Sequence, residues 1–224
     1  KKDTVLLIPY NQVELDGLKL ANDEFIRFNN NADVTLKSGD LNVALDNEAK
    51  SVTINVGNAN DVKLSIKNNE KSTVTIKATN TEVTINSNSE LYAPLEIQVP
   101  EDVKTVSIES INLHDKGTIS AKKIGTDKLA DLTVKKLTVQ PQTEAKLLNV
   151  EVTNDFNIAQ SASIELSNVK LSKANVKLDL HTYTHSNYEK PMLTGVLGES
   201  PESIKVGKPK DSTKPESNDY LLFY

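Results

Sequence analysis

Apolar and polar residues alternate along most of this chain, in short segments separated by polar turns. Between residues 33 and 110 the segments follow one another about every ten residues, and their central apolar residues are Val34, Val43, Ile54, Leu64, Val74, Ile85, Ile97 and Ile108. A side-chain period of two places the apolar residues of a strand on one face and its Thr, Asn, Lys and Ser residues on the other. Many short strands at even spacing predict an all-β stack, sandwich or solenoid.

The rhythm of the pattern divides the chain into four parts of one all-β domain over residues 1–224. Residues 1–32 are predicted to be a lead-in that caps the array, and residues 33–180 are predicted to form the β-repeat array itself. Four prolines and three glycines interrupt the pattern in residues 181–217, which predicts an irregular loop region. The chain ends with the apolar run Tyr220–Tyr224, and residues 218–224 are predicted to return as a closing terminal strand. A helix over 126–139 is the alternative to a strand there, and its Thr and Val residues favour the strand.

Turn chemistry separates the two architectures that such a pattern allows. An antiparallel β-sandwich needs hairpin turns, for which Asn-Gly and Asp-Gly are the strongest signals, and Asp16-Gly17 is the one such pair in the chain. This scarcity favours a right-handed parallel β-helix or solenoid, with the sandwich as the alternative. In a solenoid, asparagines at equivalent corners can form hydrogen bonds between coils; the alternative is that the many asparagines simply occupy surface turns.

Composition narrows the classes of function and the cellular compartment. The net charge of −5 and a single arginine, Arg27, argue against a broad basic surface for nucleic acid. The chain has no cysteine and no run of 18 apolar residues, so no disulfide framework and no transmembrane segment is expected. It begins at Lys1, and we expect that an export or lipoprotein signal preceded it. This predicts an exported protein, periplasmic or at the cell surface, whose membrane anchoring would depend on a removed lipoprotein signal.

The strongest local motif lies where the rhythm breaks, and the candidate ligand-binding residues are His181, Tyr183, His185 and Tyr188. On a strand the two histidines and Tyr183 share a face, which suits a sugar hydroxyl or a divalent metal. A metal would need a third ligand from His114, Asp179 or Glu189, so no metal site is assigned. The alternative is an edge strand with polar side chains in water, and for the tyrosines the preferred interpretation is that they cap the open end of the core.

No catalytic constellation is present in the sequence. Paired carboxylates such as Asp23-Glu24 and Glu101-Asp102 occur in predicted turns, and nothing marks any pair as facing a substrate. The phosphate-loop, dinucleotide-binding, nucleophile-elbow and metalloprotease motifs are absent. We therefore predict no catalytic residues, no cofactor and a non-enzymatic protein.

Two segments, Val13–Leu20 followed by Asn31–Leu36, and Leu95–Ile108 with its strand, proline and next strand, carry a resemblance. They resemble the autotransporter-adhesin head (GIN) domains of Bacteroides-type bacteria, over roughly residues 13–180. The resemblance implies stacked β-coils, export to the cell envelope and an adhesive role, and it supplies no catalytic motif.

These observations predict an exported envelope or surface protein that acts as an adhesin or interaction module toward a glycan or a surface protein. Two alternatives remain open at this point. One is a carbohydrate-active β-helix enzyme, either a polysaccharide lyase or a hydrolase. The other is a structural subunit of a surface assembly that contributes an edge or its terminal strand to a neighbour.

Overall fold

The fold is known from a computed structural model, which describes residues 4–21, 23–37, 40–45, 51–56, 63–67, 73–78, 84–85, 89–102, 105–179 and 192–207. Within these ranges the regular elements are all strands. In chain order they are β1 Thr4–Ile8, β2 Gln12–Leu15, β3 Glu24–Phe28, β4 Ala32–Leu36, β5 Asp40–Leu45, β6 Ser51–Val56, β7 Lys63–Lys67, β8 Thr73–Ala78, β9 Thr84–Ile85, β10 Ser89–Leu91, β11 Leu95–Val99, β12 Thr105–Leu113, β13 Ile119–Lys123, β14 Asp131–Val139, β15 Glu144–Leu148, β16 Val150–Ile158, β17 Ser163–Lys170, β18 Asn175–Asp179, β19 Leu193–Glu199 and β20 Ile204–Gly207.

Most strands pair with the strand two places away in the sequence, and the named strands pair in parallel. Strands β7 and β8 also pair with β10 and β11, three places further on, and β16 also pairs with β17 at one position. The first stack runs β1-β3-β5-β7-β10-β12-β14-β16-β18-β20, with β9 beside β7. The second stack runs β2-β4-β6-β8-β11-β13-β15-β17-β19. Consecutive strands therefore alternate between the two stacks, except that β9 and β10 both belong to the first, and two segments of about ten residues make one coil. The prediction of a parallel β-solenoid is confirmed, and strand β14 stands where a helix was the alternative.

The core consists of columns of apolar side chains at equivalent positions in successive coils. One column of the first stack contains, in order, Ile26, Val43, Ile66, Ser89, Ile111, Leu137, Phe156 and Val176, all of them buried. Ser89 is its one polar member, and the Ser89 hydroxyl accepts a hydrogen bond from the Ile66 N–H at 3.1 Å. This bond lies in the coil where the first stack is divided between the short strands β9 and β10.

From β12 onward the longer strands turn a corner within themselves. In β14 the alternation of burial is interrupted at Lys135 and Lys136, which are both exposed, and inward positions resume at Leu137. A register shift falls at the same place in the pairing of β14 with β16. Two successive outward residues bend a strand that otherwise alternates, so a single nine-residue strand covers two sides of the coil.

The stacked array extends beyond the predicted 33–180 limits on both sides. Strands β1, β2 and β3 join the same parallel pairing, so the described part of the lead-in belongs to the array. Strands β19 and β20 lie inside the stretch predicted to be irregular. Pro201 lies in the connection between these two strands, where its missing N–H does not interrupt the pairing of either strand. The rest of that stretch and the predicted closing strand 218–224 lie outside the described residues.

Candidate functional site

The four residues predicted to bind a ligand, His181, Tyr183, His185 and Tyr188, lie outside the described residues, and so does Glu189. Their role stays a prediction. The other two suggested metal ligands are described and belong to different surroundings. Asp179 ends β18 and forms an ion pair with Lys177 at 3.1 Å. His114 follows β12 and belongs to a cluster whose members are far apart in the sequence.

A carboxylate, an amide and an imidazole meet at one corner of the solenoid. Glu90 of β10 pairs in register with Asn112 of β12, and the Asn112 Nδ2 donates a hydrogen bond to Glu90 Oε1 at 2.8 Å. The His114 Nε2–H donates to the other carboxylate oxygen, Oε2. Both oxygens of Glu90 are therefore held, which fixes the orientation of the carboxylate and of the imidazole.

An aromatic ring completes this group. Tyr92 stacks on His114 with a centroid separation of 4.3 Å and an interplanar angle of 14°. Partial burial raises the pKa of the Tyr92 hydroxyl, and the negative charges of Glu90 and Asp115 raise it further. We call Glu90, Tyr92, Asn112 and His114 the corner cluster. It combines ring surface with oriented hydrogen-bonding groups and stays accessible, since the side chains of His114 and Glu90 are 22% and 33% exposed.

The corner itself is a tight turn over residues 114–117. The Gly117 N–H donates to the His114 carbonyl at 2.6 Å, and Asp115 has a φ of 49°, in the left-handed region. A Cβ on Gly117 would collide with the backbone carbonyl of Leu91 in the preceding coil, so only glycine fits there. The same kind of turn recurs in the next coils at 140–143 and 159–162. The stacking of these turns holds His114 beside Glu90.

A shallow open groove of about 470 Å³ lies on the other side of this turn, on the second stack. It is lined by Lys116, Thr118, Glu144, Ala145, Lys146, Ser163, Glu165 and Thr194. Across it Lys146 Nζ and Glu165 Oε1 form an ion pair at 2.7 Å. The volume falls in the range of ligand sites, but small-molecule pockets are usually deep and largely apolar. An open groove lined by hydroxyls and balanced charges instead suits an extended polar ligand.

The outer faces beyond the groove also carry balanced charge. Lysines and glutamates of neighbouring coils pair repeatedly, as Lys37–Glu14, Lys122–Glu96, Lys128–Glu101, Lys135–Glu109, Lys170–Glu199 and Lys173–Glu151. Each exposed pair of this kind contributes little to stability, because water and salt screen the two charges. Their combined effect is a surface of mixed charge, against which the aromatic corner cluster is chemically distinct.

A hairpin projects from the array between β13 and β14. Lys122 and Leu129 form an isolated antiparallel bridge, and the Lys123 N–H donates to the Lys128 carbonyl at 2.8 Å. Lys123 itself points inward and is 6% exposed, and its Nζ donates to the carbonyls of Pro100 and Glu101 at 3.2 and 2.9 Å. A lysine at an apolar position of the pattern is thus satisfied by the carbonyls of the preceding coil.

Sequence reasoning missed the corner cluster because its members are far apart in the chain. Glu90 lies 22 residues before Asn112 and 24 residues before His114. Each separation equals about two ten-residue segments, which is one coil. These side chains become neighbours once every second segment is assigned to the same stack. A local sequence motif does not show this.

The described residues contain neither a membrane-spanning helix nor a group of metal ligands. No helix among them is long and apolar enough to cross a membrane. No three His, Cys, Asp or Glu residues in the described ranges are grouped so that they could hold a metal ion. Compared with protein-family models, with curated proteins and with solved structures, the chain shows no match.

Proposed function

We propose that this protein is a non-enzymatic interaction module, exported to the cell envelope or surface, that adheres to a glycan or to a surface protein. The binding surface of this proposal consists of the corner cluster and the adjoining groove, which we call the corner surface. The observation that carries it is the aromatic and hydrogen-bonding cluster placed directly beside an open polar groove.

The chemistry of the corner surface supports a polar, extended partner. The rings of Tyr92 and His114 provide apolar area, and Glu90 and Asn112 provide acceptors and donors in fixed orientations. The groove continues the surface with hydroxyl and charged side chains over several coils. A stack of coils is a stiff scaffold, and an extended surface on it can make many weak contacts with one partner.

A binding screen with matched variants tests this proposal. Immobilised wild-type protein is exposed to a glycan panel and to solubilised envelope proteins, beside the variants Tyr92→Ala and Glu165→Ala. The control is Lys135→Ala, which removes an equally exposed ion pair with Glu109 at another position. We expect binding by the wild type and the control, and a loss of roughly tenfold or more in both corner variants. Equal binding by all four proteins, or no binding by any, would refute the proposal.

A carbohydrate-active enzyme is the second candidate, and the Glu90–His114 pair beside Tyr92 is the observation that favours it. A partly buried carboxylate and imidazole in contact can transfer protons to and from a sugar. Incubation with a polysaccharide panel, with and without calcium, would then release reducing ends or unsaturated sugars, and Glu90→Gln would abolish the release. Absence of any product from the wild type would exclude this candidate on that panel.

The proposed location is tested separately from binding. Fractionation of the source cells should place the protein with the envelope, and external protease should degrade it on intact cells if it is displayed at the surface. Recovery with the cytosolic fraction alone would contradict export.

A further inference from the structure

The lining of the groove in the corner surface forms a straight column of side chains along the solenoid axis. Lys146 of β15 pairs in register with Glu165 of β17, and Glu165 pairs with Thr194 of β19. Thr118 takes the equivalent position in the preceding coil, because the residue after it pairs with the residue after Lys146. These outward side chains therefore follow one another at the spacing of paired strands, about 4.8 Å.

The corner cluster lengthens this column by one coil toward the N-terminus. Glu90 of β10 lies one coil before Asn112 of β12, and the turn that carries His114 leads directly into the groove. The stacked rings of Tyr92 and His114 thus lie at one end of the corner surface, and Thr194 lies at the other. The distance between the ends is about 19 Å, because four strand spacings separate the first coil from the last. A partner that contacts both ends must be long and must lie across the strands.

The charges of the corner surface are nearly balanced. Its lysines are Lys116 and Lys146, and its glutamates are Glu90, Glu144 and Glu165. The chain has one arginine, which lies in β3, outside this surface. An acidic polymer would therefore meet more carboxylates than ammonium groups, and it would find no guanidinium group to bind its own carboxylates or phosphates. This composition favours an uncharged partner.

The groove offers few contacts of the kind that a polypeptide partner needs. Strand β17, in the middle of the groove, is paired with β15 on one side and with β19 on the other. A peptide strand therefore cannot add to β17 through backbone hydrogen bonds. Protein partners also depend on aromatic and other large anchors, whereas the one apolar residue in the groove lining is Ala145, which is buried. The groups that face a partner are hydroxyl and charged side chains, which match the hydroxyls of a sugar.

We propose that the partner of the corner surface is an uncharged polysaccharide of the extended, cellulose-like type, whose chain lies along the solenoid axis. This inference rests on the proposed binding function and names the class of its ligand. The sugar hydroxyls pair with the hydroxyl, amide and carboxylate groups of the surface, and the apolar face of one sugar ring contacts the rings of Tyr92 and His114. One unit of an extended chain is similar in length to the strand spacing, so about four units cover the surface.

Calorimetric titration with purified oligosaccharides of increasing length tests this inference. Cello- and manno-oligosaccharides, from disaccharide to hexasaccharide, are compared with malto-oligosaccharides, whose chains curl, and with oligogalacturonates, which are acidic. We expect an extended neutral series to bind with a Kd that falls at least about tenfold from the disaccharide to the tetrasaccharide and then levels off. The curled and the acidic chains of equal length should bind at least about tenfold more weakly.

A variant at the far end of the groove tests the direction of the chain. Thr194→Ala should raise the Kd of the hexasaccharide about two- to tenfold, the effect of losing one hydrogen bond. The control is Thr133→Ala, which removes a half-buried threonine of β14 on another side of the coil and should leave this Kd unchanged. Equal Kd values for the two variants, or an affinity that does not depend on chain length, would overturn the axial arrangement. A preference for the curled chains would overturn it as well.

The outcomes distinguish a failure of this inference from a failure of the proposed function. Suppose that only an acidic polymer or an envelope protein binds, and that Tyr92→Ala and Glu165→Ala abolish this binding. The corner surface is then an interaction site, and the ligand class inferred for it is wrong. Oligosaccharide binding that both variants retain lies elsewhere on the molecule and overturns the inference. If neither the oligosaccharides nor the envelope proteins bind, the proposed function and this inference both fail.

Discussion

The stacked asparagines at one corner of the solenoid give a prediction whose two physical contributions can be separated. Asn149 and Asn168 occupy equivalent corners in neighbouring coils, both in the left-handed region, with φ values of 51° and 53°. The Asn168 Nδ2 donates a hydrogen bond to Asn149 Oδ1 at 2.9 Å. Asparagine is thus used for its tolerance of positive φ and for its side-chain bond between coils.

Replacing Asn168 with alanine removes this hydrogen bond. It also leaves a residue in the left-handed region that has a Cβ atom but no polar side chain to bond to the nearby backbone. The left-handed conformation costs an ordinary residue about 1–2 kcal/mol, and a hydrogen bond contributes about 0.5–1.5 kcal/mol, toward the lower end at this exposed corner. We therefore expect Asn168→Ala to lower the free energy of unfolding by about 1.5–3 kcal/mol. Asn168→Gly loses the bond but avoids the conformational cost, so it should lose only about 0.5–1.5 kcal/mol.

Denaturant unfolding followed by circular dichroism measures both variants against the control Asn154→Ala. Asn154 is exposed in the middle of β16 and is not among the residues with positive φ, so its loss should change stability by less than about 0.5 kcal/mol. The reasoning fails if Asn168→Ala is as stable as the control, or if it is no less stable than Asn168→Gly.

Three further predictions concern the core, the corner turn and the corner cluster. Ser89→Ala should lower stability by about 1–3 kcal/mol and speed hydrogen exchange at Ile66, whose N–H loses its acceptor; unchanged exchange would contradict the assignment. Gly117→Ala should prevent the normal stacking of its turn, seen as a large drop in the thermal midpoint, because the added Cβ meets backbone. Tyr92 has a pKa raised above 10.0, first by burial and then by Glu90, so its contribution to stability is complete below pH 10 and is lost as the pH rises through the folded pKa. The difference between the ultraviolet titrations of wild type and Tyr92→Phe should show that the Tyr92 hydroxyl titrates at a higher pH than an ordinary tyrosine. Glu90→Gln should lower the pKa of Tyr92.

The alternating pattern predicted the core of the solenoid because burial follows directly from the side-chain period of a strand. Val34, Ile54 and Ile97, picked from the pattern as central residues, are all fully buried. The pattern could not show that every second segment belongs to the same stack, since the period of two is identical in a sandwich. The scarcity of Asn-Gly and Asp-Gly pairs correctly favoured the solenoid over the sandwich, because these pairs form the tight turns of hairpins.

The ends of the array and the site were harder to predict. Proline and glycine argued for a loop after residue 180, but Gly195 lies within β19 at a φ of 100°, directly against the Leu166 carbonyl of the preceding coil. Glycine in that strand permits close stacking. The corner cluster depends on the length of a coil, which sets which side chains become neighbours. The motif after Leu180 was local and therefore visible in the sequence, and its role remains a prediction.

The corner surface and the asparagine pair both depend on one central claim, that consecutive segments of the chain lie in opposite stacks, with β9 and β10 as the exception. Nitroxide pairs introduced by cysteine substitution test the claim directly. Thr138 and Asn157 are register partners in neighbouring coils, whereas Glu165 lies on the next strand along the chain. Strands that pair lie about 4.8 Å apart, so Thr138→Cys with Asn157→Cys should show strong dipolar broadening, and Asn157→Cys with Glu165→Cys should show little. Broadening in the second pair and not in the first would indicate sequential hairpins and contradict the solenoid.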